Sequence, residues 1–293
     1  MEDYIIRATA GDGTIRAVAT TTTNMVKESQ KTHGLSPLAT AALGRTITAA
    51  AMMSTTLKGE RDTITIQIKG DGPIGGIVVV SDSQANVKGY VHRPLVYLPL
   101  NSEGKFDVAG AIGKGYLNVI KDMGLKEPYV GYVDLVSGEI AEDITYYYAY
   151  SEQIPTVTSL GVLTNASQIV ASAGGFILQL MPGADEETIT FIENKINSIP
   201  SVTGLLSEGK LPEDILNMIL SEKDIKIIDK KPCKYMCNCS RERMERGVIS
   251  LGKKEILDIV NADHRAELQC HFCNKKYQFS EEDLLSLIDK AGR

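Results

Sequence analysis

The sequence predicts an α+β fold: a mainly antiparallel-sheet N-terminal core with helices over residues 1–181, a helical connector over 182–230, and a small C-terminal module over 231–293. Three observations lead there. At 293 residues the chain is long enough for one large core and a smaller module. Hairpin signals outnumber strand–helix–strand units in the first part, which favours antiparallel pairing. All five cysteines lie from Cys233 onward, so the core folds without cysteine chemistry.

The first elements are short β-prone runs, Tyr4–Thr9 and Thr14–Thr20, separated by Gly11-Asp12-Gly13 as a hairpin signal. A helix starts near Thr22 and ends at His33-Gly34. Ser36-Pro37 reads as an N-cap followed by proline at the first helical position. The alanine-rich run after it is expected to continue to Gly59 as a C′ glycine. Thr63 to Lys69 alternates with isoleucine on one face, Gly70–Pro73 turns the chain, and Ile77–Val80 returns. Further strands are predicted near Ala85–Val91, Tyr116–Lys121, Tyr129–Val133, Gly161–Leu163 and Ile169–Leu180, with a helix over Glu139–Tyr150. Pro182-Gly183 ends the core. The connector then carries an acidic helix start at Asp185-Glu186-Glu187 with a stripe of Ile189, Ile192 and Ile196. A second helix starts at Pro212 and carries Ile215, Leu216 and Ile219. These stripes are too apolar to stand free in water; they read either as a mask over a binding face or as ordinary packing helices.

The C-terminal module holds two cysteine pairs, Cys237-Asn238-Cys239 and Cys270-His271-Phe272-Cys273. Zinc favours four tetrahedral ligands, and thiolates suit it as soft donors. A C-x-x-C turn aims both sulfurs at one point, and extended C-x-C backbone puts both side chains on one face. Cys237, Cys239, Cys270 and Cys273 are therefore the predicted ligands of one zinc ion. Lys234, Arg241, Arg243, Arg246, Lys275 and Lys276 lie close in sequence and are expected to offset the negative charge of a four-thiolate site. A module of about sixty residues leans on such a metal, worth on the order of 10–16 kcal/mol in finger peptides. Spacing alone favours a purely structural zinc, because C-x-C with C-x-x-C says nothing about redox sensing. Zinc-bound sulfur is thiolate already, which leaves it open to two-electron oxidants. Cys233 is the odd thiol: an inert neighbour, a resolving thiol or an alternative ligand. His264 and His271 are expected at the surface.

Several segments together resemble the redox-regulated heat-shock chaperone family, the 33 kDa chaperonins. They are GRTITAAAMM (44–53), QIKGDGPIGG (67–76), YSEQIPT (150–156), AGGFILQLMPGA (173–184), CNCSRERMERGVISLGKKEI (237–256) and the LQCHFCNKKYQF block, in family order over nearly the whole chain. The resemblance implies an ATP-independent holdase that binds unfolding client proteins and prevents their aggregation under oxidative stress. It implies a reduced, zinc-bound inactive form with Cys237, Cys239, Cys270 and Cys273 as ligands. Oxidation by peroxide with unfolding stress, or by hypochlorous acid, then joins Cys237 to Cys239 and Cys270 to Cys273, releases zinc and unfolds the module and connector. Active forms in the family are commonly homodimers. Cys233 stands outside its four-cysteine pattern.

Other classes fit less well. A net charge of −6 argues against whole-chain attraction to nucleic acid, and Glu242, Glu245 and Glu255 interleave with the module's basic residues. No apolar run is long enough to span a bilayer. The N-terminus lacks the basic start and apolar stretch of a secretory signal, so a cytoplasmic location is expected. Gly70-x-Gly72-x-x-Gly75 matches a dinucleotide fingerprint, but a strand follows where a helix is needed. Gly110–Gly115 lacks the trailing Lys-Ser/Thr of a phosphate loop. A thiol oxidoreductase would need the strand–helix–strand setting that Cys270-Cys273 lacks. No catalytic constellation emerges, and the chain reads as a binding protein without enzymatic activity.

Overall fold

The structure, a computed structural model, describes residues 2–291. Strands β1 (Tyr4–Ala10) and β2 (Ile15–Thr21) form the expected hairpin, and Gly11, Asp12 and Gly13 all take the positive φ that such a turn demands. Helix α1 (Thr23–His33) ends on left-handed Gly34. Its start is capped from a distance: Met25 N–H donates to the buried Asp3 carboxylate at 2.8 Å. Helix α2 (Pro37–Met53) begins as predicted, with Ser36 Oγ accepting from Ala39 N–H. It ends six residues before Gly59. Ser54, Thr55 and Thr56 each donate a hydroxyl to the carbonyl three residues back, tightening the chain into a 3₁₀ turn over Ser54–Thr56.

Next come β3 (Thr63–Gly70), β4 (Ile77–Asp82), β5 (Asn86–Val91), the short helix α3 (Val108–Ile112), β6 (Gly115–Asp122) and β7 (Tyr129–Asp134). The fingerprint-like glycines turn the β3–β4 hairpin and meet the second glycine-rich segment. Gly72 N–H donates to Ile112 O at 2.9 Å, and a Cβ on Gly70 would stand 2.0 Å from the same oxygen. These glycines serve close backbone approach. Helix α4 (Ala141–Tyr147) passes into a π turn over Tyr148–Glu152, and β8 (Thr156–Thr164) and β9 (Val170–Leu180) complete the core strands. Then follow α5 (Glu186–Ser198), α6 (Val202–Ser207), α7 (Pro212–Leu220), β10 (Lys226–Pro232) and β11 (Lys234–Tyr235). Residues 226–230, read from sequence as the end of the helical connector, are instead strand, antiparallel to β1.

Among the described residues these strands form two sheets, in the orders β10-β1-β2-β9-β8 and β11-β5-β4-β3-β6-β7. The pairings are antiparallel except β11 with β5. Helix α2 is buried along nearly its whole length and shares one core with Ile5, Val18 and Ile177 from the first sheet and Ile64, Ile66, Val79 and Val119 from the second. The opposite face of the first sheet carries Tyr4, Ile6, Phe176 and Leu178. It is covered by Ile192 of α5, Val202 and Leu205 of α6, and Ile215, Leu216 and Ile219 of α7. The apolar stripes of the connector are thereby accounted for. No described helix is long and apolar enough to cross a membrane.

The chain divides into two compact units, one up to Met236 and one from Cys237. The second contains α8 (Arg241–Ile249), α9 (Lys253–Asp263), the hairpin β12 (Arg265–Gln269) and β13 (Lys276–Ser280), and α10 (Glu281–Ala291). Its core is small: Val248, Ile256, Val260, Tyr277, Phe279, Leu284, Leu287 and Ile288.

Candidate metal centre

The β12–β13 hairpin positions one cysteine pair. Cys270 N–H donates to Lys275 O at 3.0 Å, and Cys270 O accepts from Asn274 N–H at 2.8 Å and Cys273 N–H at 3.3 Å. The turn needs a left-handed residue, and Asn274 supplies it at φ 60°. The other pair lies on the non-helical segment before α8, whose Ser240 caps the helix by accepting from Arg243 N–H. A fixed turn and a capped helix start thus bring the two pairs together from opposite sides of thirty intervening residues.

The sulfurs of Cys237, Cys239, Cys270 and Cys273 all lie within 4.8 Å of one another. Cys237 Sγ stands 3.7 Å from Cys270 Sγ, and Cys239 Sγ 3.4 Å from Cys273 Sγ. All four are free thiols, with Cys270 buried and the others half-buried. Sulfurs placed tetrahedrally about 2.3 Å from a zinc ion stand about 3.8 Å apart, so the donor set fits zinc in number, kind and spacing. Sulfur from soft thiolates, with no carboxylate among the donors, argues against calcium or magnesium.

The electrostatics point the same way. Burial pushes the Cys237 thiol up, and the nearby Cys270 adds to that; burial likewise raises Cys273. Burial also opposes ionisation of Cys239, yet hydrogen bonds from Tyr277 and from the other three sulfurs outweigh it and bring it down to about 7. Like charges this close disfavour one another, so adding thiolates to the cluster is costly without a cation. A divalent ion would offset that cost.

Tyr277 is the residue that sequence reasoning missed. Its hydroxyl donates to Cys239 Sγ at 3.1 Å, from a ring buried in the small core. The alternation of β13, with Tyr277 and Phe279 buried between exposed neighbours, is the signal that would have found it. Two of the basic side chains expected to balance the site are engaged elsewhere. Arg241 pairs with Asp283 at 2.8 Å and Glu245 at 3.4 Å, and Lys276 with Glu267 at 2.7 Å. His264 is exposed and pairs with Glu281; neither it nor His271 joins the sulfur cluster.

Cys233 lies in the other unit. It is buried among apolar side chains of the large core, its sulfur 3.8 Å from both Thr20 Oγ1 and Thr21 O, and burial pushes its thiol up to about 12. It is not among the clustered sulfurs.

Comparison with known proteins adds a consistent set of likenesses. The model of the family described as Hsp33 protein matches residues 3–280. The 33 kDa chaperonin of Acetivibrio thermocellus is 77% identical over 288 residues, covering 98% of this chain and 97% of that protein. That of Ruminiclostridium cellulolyticum is 60% identical, covering 98% of each. The crystal structure of the 33 kDa chaperonin from Thermotoga maritima superposes with a TM-score of 0.91 at 41% identity, covering 99% of both chains.

Proposed function

The chain belongs to the Hsp33 protein family, and from that premise we propose that it is a redox-regulated, ATP-independent holdase for unfolding proteins, without enzymatic activity. The observation that carries the switch is the convergence of four thiols from two distant segments on one point. In this reading Cys237, Cys239, Cys270 and Cys273 hold one zinc ion in the reduced, inactive form. The metal, when bound, keeps all four sulfurs as thiolates and ties the C-x-C segment to the hairpin turn.

Oxidation removes two electrons per cysteine pair. As Cys237 joins Cys239, and Cys270 joins Cys273, each new S–S bond passes two electrons to one oxidant molecule: hydrogen peroxide takes two protons from solvent and leaves as two waters, or hypochlorous acid takes one and leaves as chloride and water. The sulfurs then no longer serve as thiolate ligands, and the four cysteines would no longer hold zinc. The functional division follows the sequence boundaries: a client-binding core over 1–181, a connector over 182–230 and a redox module over 231–293. The covering of the first sheet by α5, α6 and α7 supports the connector as a mask over apolar surface. A cytoplasmic setting, where thiols stay reduced until stress, and a homodimeric active form complete the reading. Nucleic acid and membrane are not partners in it.

The test follows zinc release and the aggregation of a chemically unfolded protein, before and after oxidation at raised temperature. About one zinc freed per chain, with aggregation suppressed only afterwards, is the expected result. Zinc loss without a gain in holding would make the site structural and defeat the switch.

A further inference from the structure

β10 is an unusual neighbour for β1. β1 is built like an interior strand, with Tyr4, Ile5, Ile6, Ala8 and Ala10 buried. No residue of β10 is buried; Ile227 and Ile228 are 50% and 57% exposed. The pairing is irregular between Arg7 and Ala8, where Ile228 is left without a partner. The side chains that tie β10 down lie at or near the surface. Arg7 holds Asp229 through two bonds, at 2.9 and 2.5 Å, Lys230 reaches Glu213 at 3.0 Å and lies over the Tyr4 ring, and Lys231 donates to Ser83 O. Exposed pairs of this kind hold a strand weakly; main-chain hydrogen bonds do most of the holding.

The segment then crosses to the second sheet. Cys233 N–H donates to Asp3 O at 3.1 Å, Lys234 N–H to Ala85 O at 3.2 Å and Met236 N–H to Val87 O at 2.8 Å. Tyr235 OH donates to Gly89 O at 2.7 Å. Residues 226–236 are therefore a strap over the edges of both sheets, pinned by the buried Cys233 and ending one residue before Cys237.

We propose that the β1 edge under this strap is a receptor for extended segments of unfolding polypeptide, and that β10 is a built-in occupant which such segments replace. The inference rests on the holdase reading and names the surface and the mode of recognition. A bare β1 would be a long apolar edge with unpaired backbone groups, the kind of strand that recruits another. Folded proteins have their backbone groups paired, whereas unfolding ones offer them free, so main-chain pairing discriminates by state. β10 also shows that the edge accepts a strand with no side chain buried. A receptor for many different sequences requires that tolerance, since the ladder supplies affinity without side-chain pockets.

The experiment uses the full chain, zinc-loaded and reduced or fully oxidised, with a reduced and carboxymethylated test protein as probe. Amide hydrogen exchange is read over residues 4–10 and 226–236, and maleimide labelling of Cys233 is read by peptide mass. At rest, both segments are expected to be protected and Cys233 unlabelled. Oxidation should raise Cys233 labelling and β1 exchange several-fold. Adding the test protein should restore β1 protection while Cys233 stays open. If the test protein is held with β1 still exchanging, or with β10 never released, the edge is not the receptor although the holdase reading stands. If β1 is reprotected by oxidation alone, in step with chain concentration, the occupant is a second copy and the proposal fails. If nothing is held in either state, the holdase reading falls and takes this inference with it.

Discussion

Cys233 and Cys239 are identical side chains six residues apart, and their surroundings drive them in opposite directions. Cys233 sits among apolar groups, and burial raises its thiol to about 12; Cys239 gains enough hydrogen bonds to fall to about 7 despite burial. The pairing of C-x-C with C-x-x-C made the four-sulfur cluster legible in the sequence, because spacing constrains sulfur geometry. Tyr277 was not legible in the same way, since its bond to Cys239 at 3.1 Å depends on where a strand 38 residues on is folded back. A tyrosine hydroxyl aimed at a metal-binding sulfur orients it and stabilises its charge. Tyr277→Phe keeps the buried ring and deletes only that donor. Zinc affinity, measured by competition with a chromophoric chelator at fixed pH, should fall about tenfold, at the low end for such outer partners, with the module still folded. Unchanged affinity would show that the hydroxyl does not act on the loaded site.

At the scale of elements, legibility followed side-chain burial. Helix α2 was recognisable from its capped start and small-residue run, and its hydroxyl-bonded end at Met53 was not, because Gly59 offered a more familiar stop signal. β10 escaped recognition for a related reason: Lys226–Pro232 carries no periodic apolar pattern, since its pairing with β1 is made by the main chain. The Gly70–Gly75 segment reads correctly as a hairpin turn, although its packing against the Gly110–Gly115 segment could not be seen from either alone. Gly44 tests how tightly α2 is held. An added Cβ there would stand 2.7 Å from Val26 Cγ1 and 2.8 Å from Val162 Cγ2, on a helix buried from both sides. Helix propensity favours alanine by about 1 kcal/mol, but overpacking a filled core costs about 1–3 kcal/mol. Crowding from two branched side chains should win, so Gly44→Ala is expected to lower the stability of the first unit in a denaturant titration. A gain in stability would mean that Val26 and Val162 can give way freely.

At the scale of the molecule, the two units differ in what holds them together. The first buries two extensive apolar clusters on either side of its first sheet and contains none of the clustered sulfurs. Among its described residues the second has eight buried apolar residues in its core, with partly buried ones packed against them, and ion pairs such as Arg241–Asp283 are half-exposed and contribute little in water. A unit of this size seldom supplies more than about 3–5 kcal/mol from its core, whereas structural zinc contributes on the order of 10–16 kcal/mol in small peptides. Removing the metal under reducing conditions should therefore unfold α8, α9, α10 and the β12–β13 hairpin while leaving the first unit intact. Hydrogen exchange with chelator and reductant present should show protection lost across residues 237–288 and kept in β2, β9 and α2. A chelated chain in which the second unit keeps its protection would mean that its core suffices alone, and that metal loss could not by itself loosen the module.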